Sequence, residues 1–245
     1  DASLTNVIFT GPTYLTGPLT SNTTYYVTVK GSNKCENKAI DAKAVVVTVN
    51  GLATSTDLIV SGNTTICAGG TVSLNATSPS VNDAVFTWYA DPALTNLVFI
   101  GANFTSQALF ANTTYYVTVK GSNKCENDAT TAKVVTITVT ARPNTPVVAN
   151  TGRNICGGEA TTLTIENPEA GVNYQWYDAA AGGTLVYSGT SFLTPVLTAS
   201  TNYYVQATNA GNCQNASGSV MVTVTVTPRP TVPTVNANNT FFIKN

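Results

Sequence analysis

The stretch Asn22-Thr-Thr-Tyr-Tyr-Val-Thr-Val-Lys-Gly-Ser-Asn-Lys-Cys-Glu-Asn37 returns unchanged at 112–127, an offset of 90 residues. A third, diverged copy reads Thr201-Asn-Tyr-Tyr-Val-Gln-Ala-Thr208 and reaches Cys213, 88 residues after Cys125. A period near 90 residues exceeds the roughly 20–50-residue units of helical and β-solenoid arrays, and it matches whole two-sheet domains of ~100 residues. Within each copy, Tyr, Val and Thr alternate at period two between Gly, Asn, Asp and Pro, which is strand patterning with no helix of consequence. The chain therefore reads as all-β, a series of β-sandwiches.

Alternation assigns the inward faces. Successive side chains of a strand point to opposite sides, so Phe86 and Trp88 face one way and Val85, Thr87 and Tyr89 the other. Tyr115, Val117 and Val119 form the inner face of a later strand, with Tyr116, Thr118 and Lys120 outward. Val135, Ile137 and Val139 line the last strand, matched by Val45, Val47 and Val49 and by Val222, Val224 and Val226. Trp88, Trp176, Tyr115 and Tyr203 are the expected core aromatics.

Boundaries fall where alternation stops and Pro enters, at 50–56, at Ala141-Arg142-Pro143-Asn144-Thr145-Pro146 and at Pro228-Arg229-Pro230-Thr231-Val232-Pro233. They give a C-terminal half-domain at 1–50, complete domains at 57–140 and 146–227, and the start of a further domain or a linker at 231–245. Asp1-Ala-Ser-Leu-Thr-Asn aligns with Asp91-Pro-Ala-Leu-Thr-Asn at the same offset of 90, so the first copy begins halfway through its domain. Thr240–Ile243 reads as a first strand lacking its sandwich. Short Pro-bearing linkers are semi-rigid, and they favour an extended array.

Composition bounds the chemistry. Charged residues are 9 % of the chain, against ~25 % in ordinary soluble domains, and the formal net charge is −1. No cationic stripe exists to release counterions from a nucleic acid. No run of about 18 apolar residues exists to span a bilayer. Without histidine and with 12 scattered carboxylates, the chain offers no catalytic constellation. Asp91 and Asp178, like Glu36 and Glu126, recur once per repeat, which suits turns rather than a paired-carboxylate cleft. A calcium site from Asp57, Asp128 and Glu159 is a weaker reading, since calcium needs several oxygens in one compact cluster. No cofactor is implied. Trp88 and Trp176 could stack on sugars, but both sit mid-strand where a sandwich keeps its core tryptophan. The loop 30–37 and its copy 120–127 are the better contact candidates.

Five cysteines fit the period. Cys67 and Cys125 lie 58 residues apart, and Cys156 and Cys213 lie 57 apart, so each complete repeat holds one early and one late cysteine. The expected bridges are Cys67–Cys125 and Cys156–Cys213. Cys35 is left unpaired, either because its partner falls in the absent half of the first copy or because it is a free reactive thiol, and the register favours the former. Structural disulfides point to an oxidising compartment.

Three motifs combine in the repeats: Ile66-Cys67-Ala68-Gly69-Gly70 with Ile155-Cys156-Gly157-Gly158, Trp88-Tyr89-Ala90-Asp91 with Trp176-Tyr177-Asp178, and Asn123–Asn127 with Asn212–Asn215. Together they resemble bacterial immunoglobulin-like (Ig-like) repeats in long surface proteins of gliding, cellulose-associated bacteria. The resemblance implies tandem Ig-like β-sandwiches, an extracellular or cell-surface location, export by outer-membrane secretion machinery of the type 9 kind, and a role in adhesion, gliding or spacing. The expected partners are neighbouring repeats, with polysaccharide or other surface ligands as further candidates. The expected function is a non-enzymatic stalk or adhesin segment. The alternatives are a surface filament whose subunits complete one another by strand donation, and a carbohydrate-binding accessory module of a secreted enzyme.

Overall fold

A computed structural model describes residues 1–149 and 153–233; the expected strand at Thr240–Ile243 lies outside them. The described chain is almost wholly β, with short 3-10 turns at Ala39–Asp41 and Ser55–Asp57. It divides into two compact units, one comprising Asp1–Asn63, Ser73–Thr105 and Thr114–Thr136, the other Thr64–Val72, Ser106–Thr113 and the described residues from Ile137 onward.

In residues 1–50 two strands, β1 (Thr23–Val27) and β2 (Lys43–Val47), pair antiparallel. The middle repeat contains β3 (Ile59–Gly62), β4 (Thr65–Cys67), β5 (Ser73–Thr77), β6 (Val85–Tyr89), β7 (Leu97–Ile100), β8 (Asn103–Thr105), β9 (Thr113–Lys120) and β10 (Lys133–Thr140). They form a three-stranded sheet, β3-β5-β8, and a five-stranded sheet, β4-β10-β9-β6-β7. The third repeat follows with β11 (Asn154–Cys156), β12 (Thr162–Thr164), β13 (Val172–Tyr177), β14 (Leu185–Ser188), β15 (Ser191–Leu193), β16 (Thr201–Asn209) and β17 (Val220–Thr227). Its sheets are β12-β15 and β11-β17-β16-β13-β14. The edge strands β4 and β11 are the exceptions to antiparallel order, running parallel to β10 and β17.

Aromatic rings join the sheets. Phe104 of β8 stacks on Trp88 of β6 at 4.8 Å and meets Tyr115 of β9 edge-on at 4.9 Å. Phe192 of β15 repeats this against Trp176 at 5.5 Å and Tyr203 at 5.0 Å. Both tryptophans are fully buried. Each satisfies its indole N–H on a glycine carbonyl 3.0 Å away, Gly101 or Gly189. Gly101 has φ +140°, and a Cβ there would come within 3.1 Å of the Phe99 ring, so the tryptophan's acceptor needs a residue without a side chain.

The inward residues Tyr115, Val117, Val119, Val135 and Ile137 are buried, as are Tyr203, Val222 and Val224. Thr87 and Thr118, assigned outward by alternation, are buried too. Thr118 is tolerated because its hydroxyl donates to Glu126 at 2.6 Å, which offsets the cost of removing it from water.

The duplicated sequence supplies its own control. At 112–127 the Asn127 side chain is buried, accepting from Val119 N–H at 2.7 Å and donating to Thr131 O at 3.0 Å. Its twin Asn37 accepts from Val29 N–H at 2.6 Å, but Val29 is 75 % exposed. Asn215 repeats the buried version with Ala207 N–H at 2.9 Å. The Asn closing the cysteine loop is thus an internal clasp. Substituting Asn127→Ala strands a buried N–H and should lower unfolding free energy by about 1–3 kcal/mol, whereas Asn37→Ala, where water replaces the bond, should cost under ~0.5 kcal/mol. Denaturant titration of the two variants checks this; equal losses would refute the contrast.

Candidate functional site

The chain's described residues bring no three or more Cys, Asp or Glu together as a metal site, and the sequence has no histidine. The three acidic residues weighed for calcium have separate engagements. Asp57 takes Lys124 Nζ at 2.7 and 2.8 Å, Asp128 accepts from Thr130 and Thr131 side chains, and Glu159 pairs with Arg229 at 2.7 Å. Asp91 caps a turn through Thr95 and Asn96 N–H, and Asp178 caps its counterpart through Thr184 N–H at 2.6 Å. A hollow of about 220 Å³ beside Pro146, Ile165, Glu169 and Tyr174 falls below the ~300 Å³ at which ligand pockets begin. No helix of the described residues is long and apolar enough to cross a membrane.

The loop 120–127 is likewise engaged. Asn123 donates to Ser80 O at 2.9 Å and accepts from Asn82 N–H at 2.8 Å, while Ser122 Oγ donates to Asp83 at 2.9 Å. Lys124 reaches Asp57, whose carboxyl is held well below the ordinary value of 3.8, first by that ammonium and then by Ser80.

The most elaborate arrangement is a joint between repeats. Cys67 is bonded to Cys213, with Cα atoms 5.5 Å apart. Neither expected bridge, Cys67–Cys125 or Cys156–Cys213, forms; Cys125 and Cys156 are free and exposed, as is Cys35. The reason lies in the edge strands. Cys156 ends β11 and sits in parallel register with Thr227, the last residue of β17. Cys213 follows β16, whose antiparallel partner β17 only begins at Val220. The two cysteines of the third repeat therefore lie near opposite ends of an eight-residue strand, roughly 25 Å at ~3.3 Å per residue, far beyond the ~7 Å limit between bridged Cα atoms. The middle repeat uses the same placements: Cys67 pairs with Thr140 at the end of β10, and Cys125 exchanges backbone hydrogen bonds with Gly51 and Ala53 where the chain enters the repeat. An early cysteine sits at its repeat's exit, a late one at its repeat's entrance. The bond that forms joins an exit to the next entrance.

Polar contacts fasten the same joint. Arg142 Nε donates to Ala68 O at 2.8 Å and Nη1 to Gln214 O at 2.9 Å; these carbonyls belong to the residues after Cys67 and Cys213. Asn209 Nδ2 donates to Ala141 O at 2.7 Å. A Cβ on Gly211 would fall 2.9 Å from Thr140. Cys213 is 1 % exposed. Arg142 lies in the Pro-bearing stretch expected to be a linker; its recurrence as Arg229, each arginine two residues past a last strand and before a proline, is the sequence signal of the joint.

The Ig-like domain CHU_C associated family matches residues 1–50, 55–140 and 143–228, and the chain belongs to it. No match is found among curated protein sequences. Similar solved structures include a marsupial T cell receptor, at 16 % identity and TM-score 0.43, covering 73 % of this chain and 75 % of that one. Fibronectin(III)-like modules of Clostridium thermocellum CbhA align at 11 % identity and TM-score 0.41, covering 74 % and 100 %. Three N-terminal domains of the bacteriophage RB49 Hoc protein align at 14 % and 0.34, covering 70 % and 58 %.

Two measurements test the cysteine pairing and the Asp57–Lys124 contact. Non-reducing peptide mapping of the alkylated protein should find Cys67 linked to Cys213 and Cys35, Cys125 and Cys156 alkylated. Cys67→Ser should then lower the unfolding free energy by up to about 5 kcal/mol, the chain-entropy value for a closed loop of 146 residues. Separately, Asp57 titrates lower folded than unfolded, so its contribution is fully present above about pH 5, starts to fall near pH 4 and is lost as pH drops on through the much lower folded value. Acid unfolding monitored by circular dichroism should show a smaller acid-side loss in Asp57→Asn than in the parent.

Proposed function

We propose that this chain is a non-catalytic structural segment of a secreted cell-surface protein, a stalk or adhesin in which Ig-like repeats act in series. The observation that carries the reading is the Cys67–Cys213 bond with its Arg142 clamp: side-chain chemistry is concentrated on coupling one repeat to the next. Disulfides persist in oxidising environments outside the cytosol, which supports export. Complete burial of Trp88 and Trp176 withdraws those two rings from stacking on a sugar.

Tension supplies a functional reason for such a joint. When the chain is pulled at its ends, force entering at Cys67 leaves at Cys213 through sulfur. The 146 intervening steps, about 500 Å of extended chain, are withheld from extension. A stalk gains from this because unfolding under load cannot release that length.

Single-molecule pulling from the termini checks the mechanical part: the oxidised protein should extend about 500 Å less than Cys67→Ser. Location is checked with an antibody against the chain applied to intact cells of the source organism. Surface labelling is expected; labelling only after lysis would overturn the assignment.

A further inference from the structure

Cys156 shares four backbone and arginine contacts with Cys67, although its own N–H donates to Glu159 Oε2 at 3.1 Å where the earlier repeat has Gly70. Cys67 is in register with Thr140 and Cys156 with Thr227. Ala68 N–H donates to Thr140 O at 2.9 Å, and Gly157 N–H to Thr227 O at 3.0 Å. Gly69 N–H reaches Leu109 O at 2.7 Å, and Gly158 N–H reaches Leu197 O at 2.8 Å. Arg142 Nε binds Ala68 O at 2.8 Å, and Arg229 Nε binds Gly157 O at 2.8 Å. What differs is the second half of the joint: Arg142 Nη1 holds Gln214 O, while Arg229 Nη2 rests on Glu159.

Cys125 shows the complementary half. Its sulfur lies 3.6 Å from Asn50 O, as that of Cys213 lies 3.9 Å from Thr140 O, and Asn50 and Thr140 are equivalent at the offset of 90. Among the described residues, an early cysteine with its arginine clamp and a late cysteine over its carbonyl are thus each present without the other, alongside a joint where both halves meet and are bonded.

We infer that Cys156 is a covalent docking site for another Ig-like repeat of this kind, whose late cysteine bonds it while Arg229 moves from Glu159 to the carbonyl after that cysteine. Cys125 is the reciprocal site, for an early cysteine. Closing the bond oxidises two thiols, releasing two protons and two electrons; a disulfide donor such as oxidised glutathione accepts them and leaves as two thiols, with Cys156 thiolate displacing one from a mixed disulfide. The inference rests on the reading that repeats act in series, but its test is independent of where the protein resides.

The test extends the chain by one repeat. Residues 143–228 are fused after Arg229, with serine replacing the added early cysteine and a mass-marking substitution beside the added late one. After refolding with glutathione, peptide mapping should place Cys156 on the marked cysteine and leave Cys67 on Cys213. Cys156 alkylated in the folded fusion, or bonded to Cys213, overturns the inference. Should the fusion not fold, Cys67→Ser in the unextended chain decides: Cys156 and the released Cys213 should both alkylate, and a bond between them would refute the exit-and-entrance layout.

Discussion

The parallel pairing of a short edge strand with the end of the last strand governs this protein. Thr65, Ile66 and Cys67 lie beside Thr138, Val139 and Thr140, and Asn154, Ile155 and Cys156 beside Thr225, Val226 and Thr227. A parallel partner advances in the same direction as its neighbour, so its last residue reaches the same end. The chain leaves each sandwich from that end. A cysteine closing the edge strand must therefore stand where the next repeat begins, and antiparallel pairing would have carried it to the other pole. Bond topology, arginine clamp and coupling between repeats all follow from strand direction.

The sandwiches themselves rest on more ordinary forces. A tryptophan, a phenylalanine and a tyrosine from three strands meet in each complete repeat, and the only polar atom of the tryptophan ring is spent on a glycine carbonyl. The duplicated sequence shows how far this depends on surroundings. Val117 and Val119 are fully buried, while Val27 and Val29, in the identical stretch, are 54 % and 75 % exposed. Local sequence starts a strand in both places, but it stops at Val27 in one and runs to Lys120 in the other; packing against β6 and its neighbours extends the strand and turns it into core.

That contrast also explains what was legible beforehand. Period and alternation located the repeats and the inward faces of Trp88, Trp176, Tyr115 and Tyr203, because both signals are carried by residue spacing. Thr87 and Thr118 escaped, since alternation grades a threonine by polarity and cannot see a hydroxyl satisfied by Glu126. The cysteine pairing escaped for a deeper reason. Equal spacing within two repeats shows that the cysteines hold equivalent positions, yet says nothing about which pole each occupies, and the pole depends on whether β4 and β11 run parallel or antiparallel. The prolines after the last strands marked where the joints lie, and the recurrence of Arg142 as Arg229 beside them marked that the joints are built alike.

One consequence of joining exit to entrance is order-dependent and would be absent from bridges closed within repeats. Cys156 precedes Cys213 by 57 residues, so the loop closed by Cys67 and Cys213 contains the early cysteine of the third repeat. A bond at Cys156 to a following repeat would open inside the first loop and close beyond it, making successive loops overlap rather than abut. The shortest covalent path would then run backward from each late cysteine to the early cysteine before it and forward through sulfur, 57 backbone steps for each advance of about 89. A backbone break within an overlap would leave both sides tied by sulfur. Bridges confined to single repeats would give neither property at the linkers, where each joint would hang on one strand of peptide.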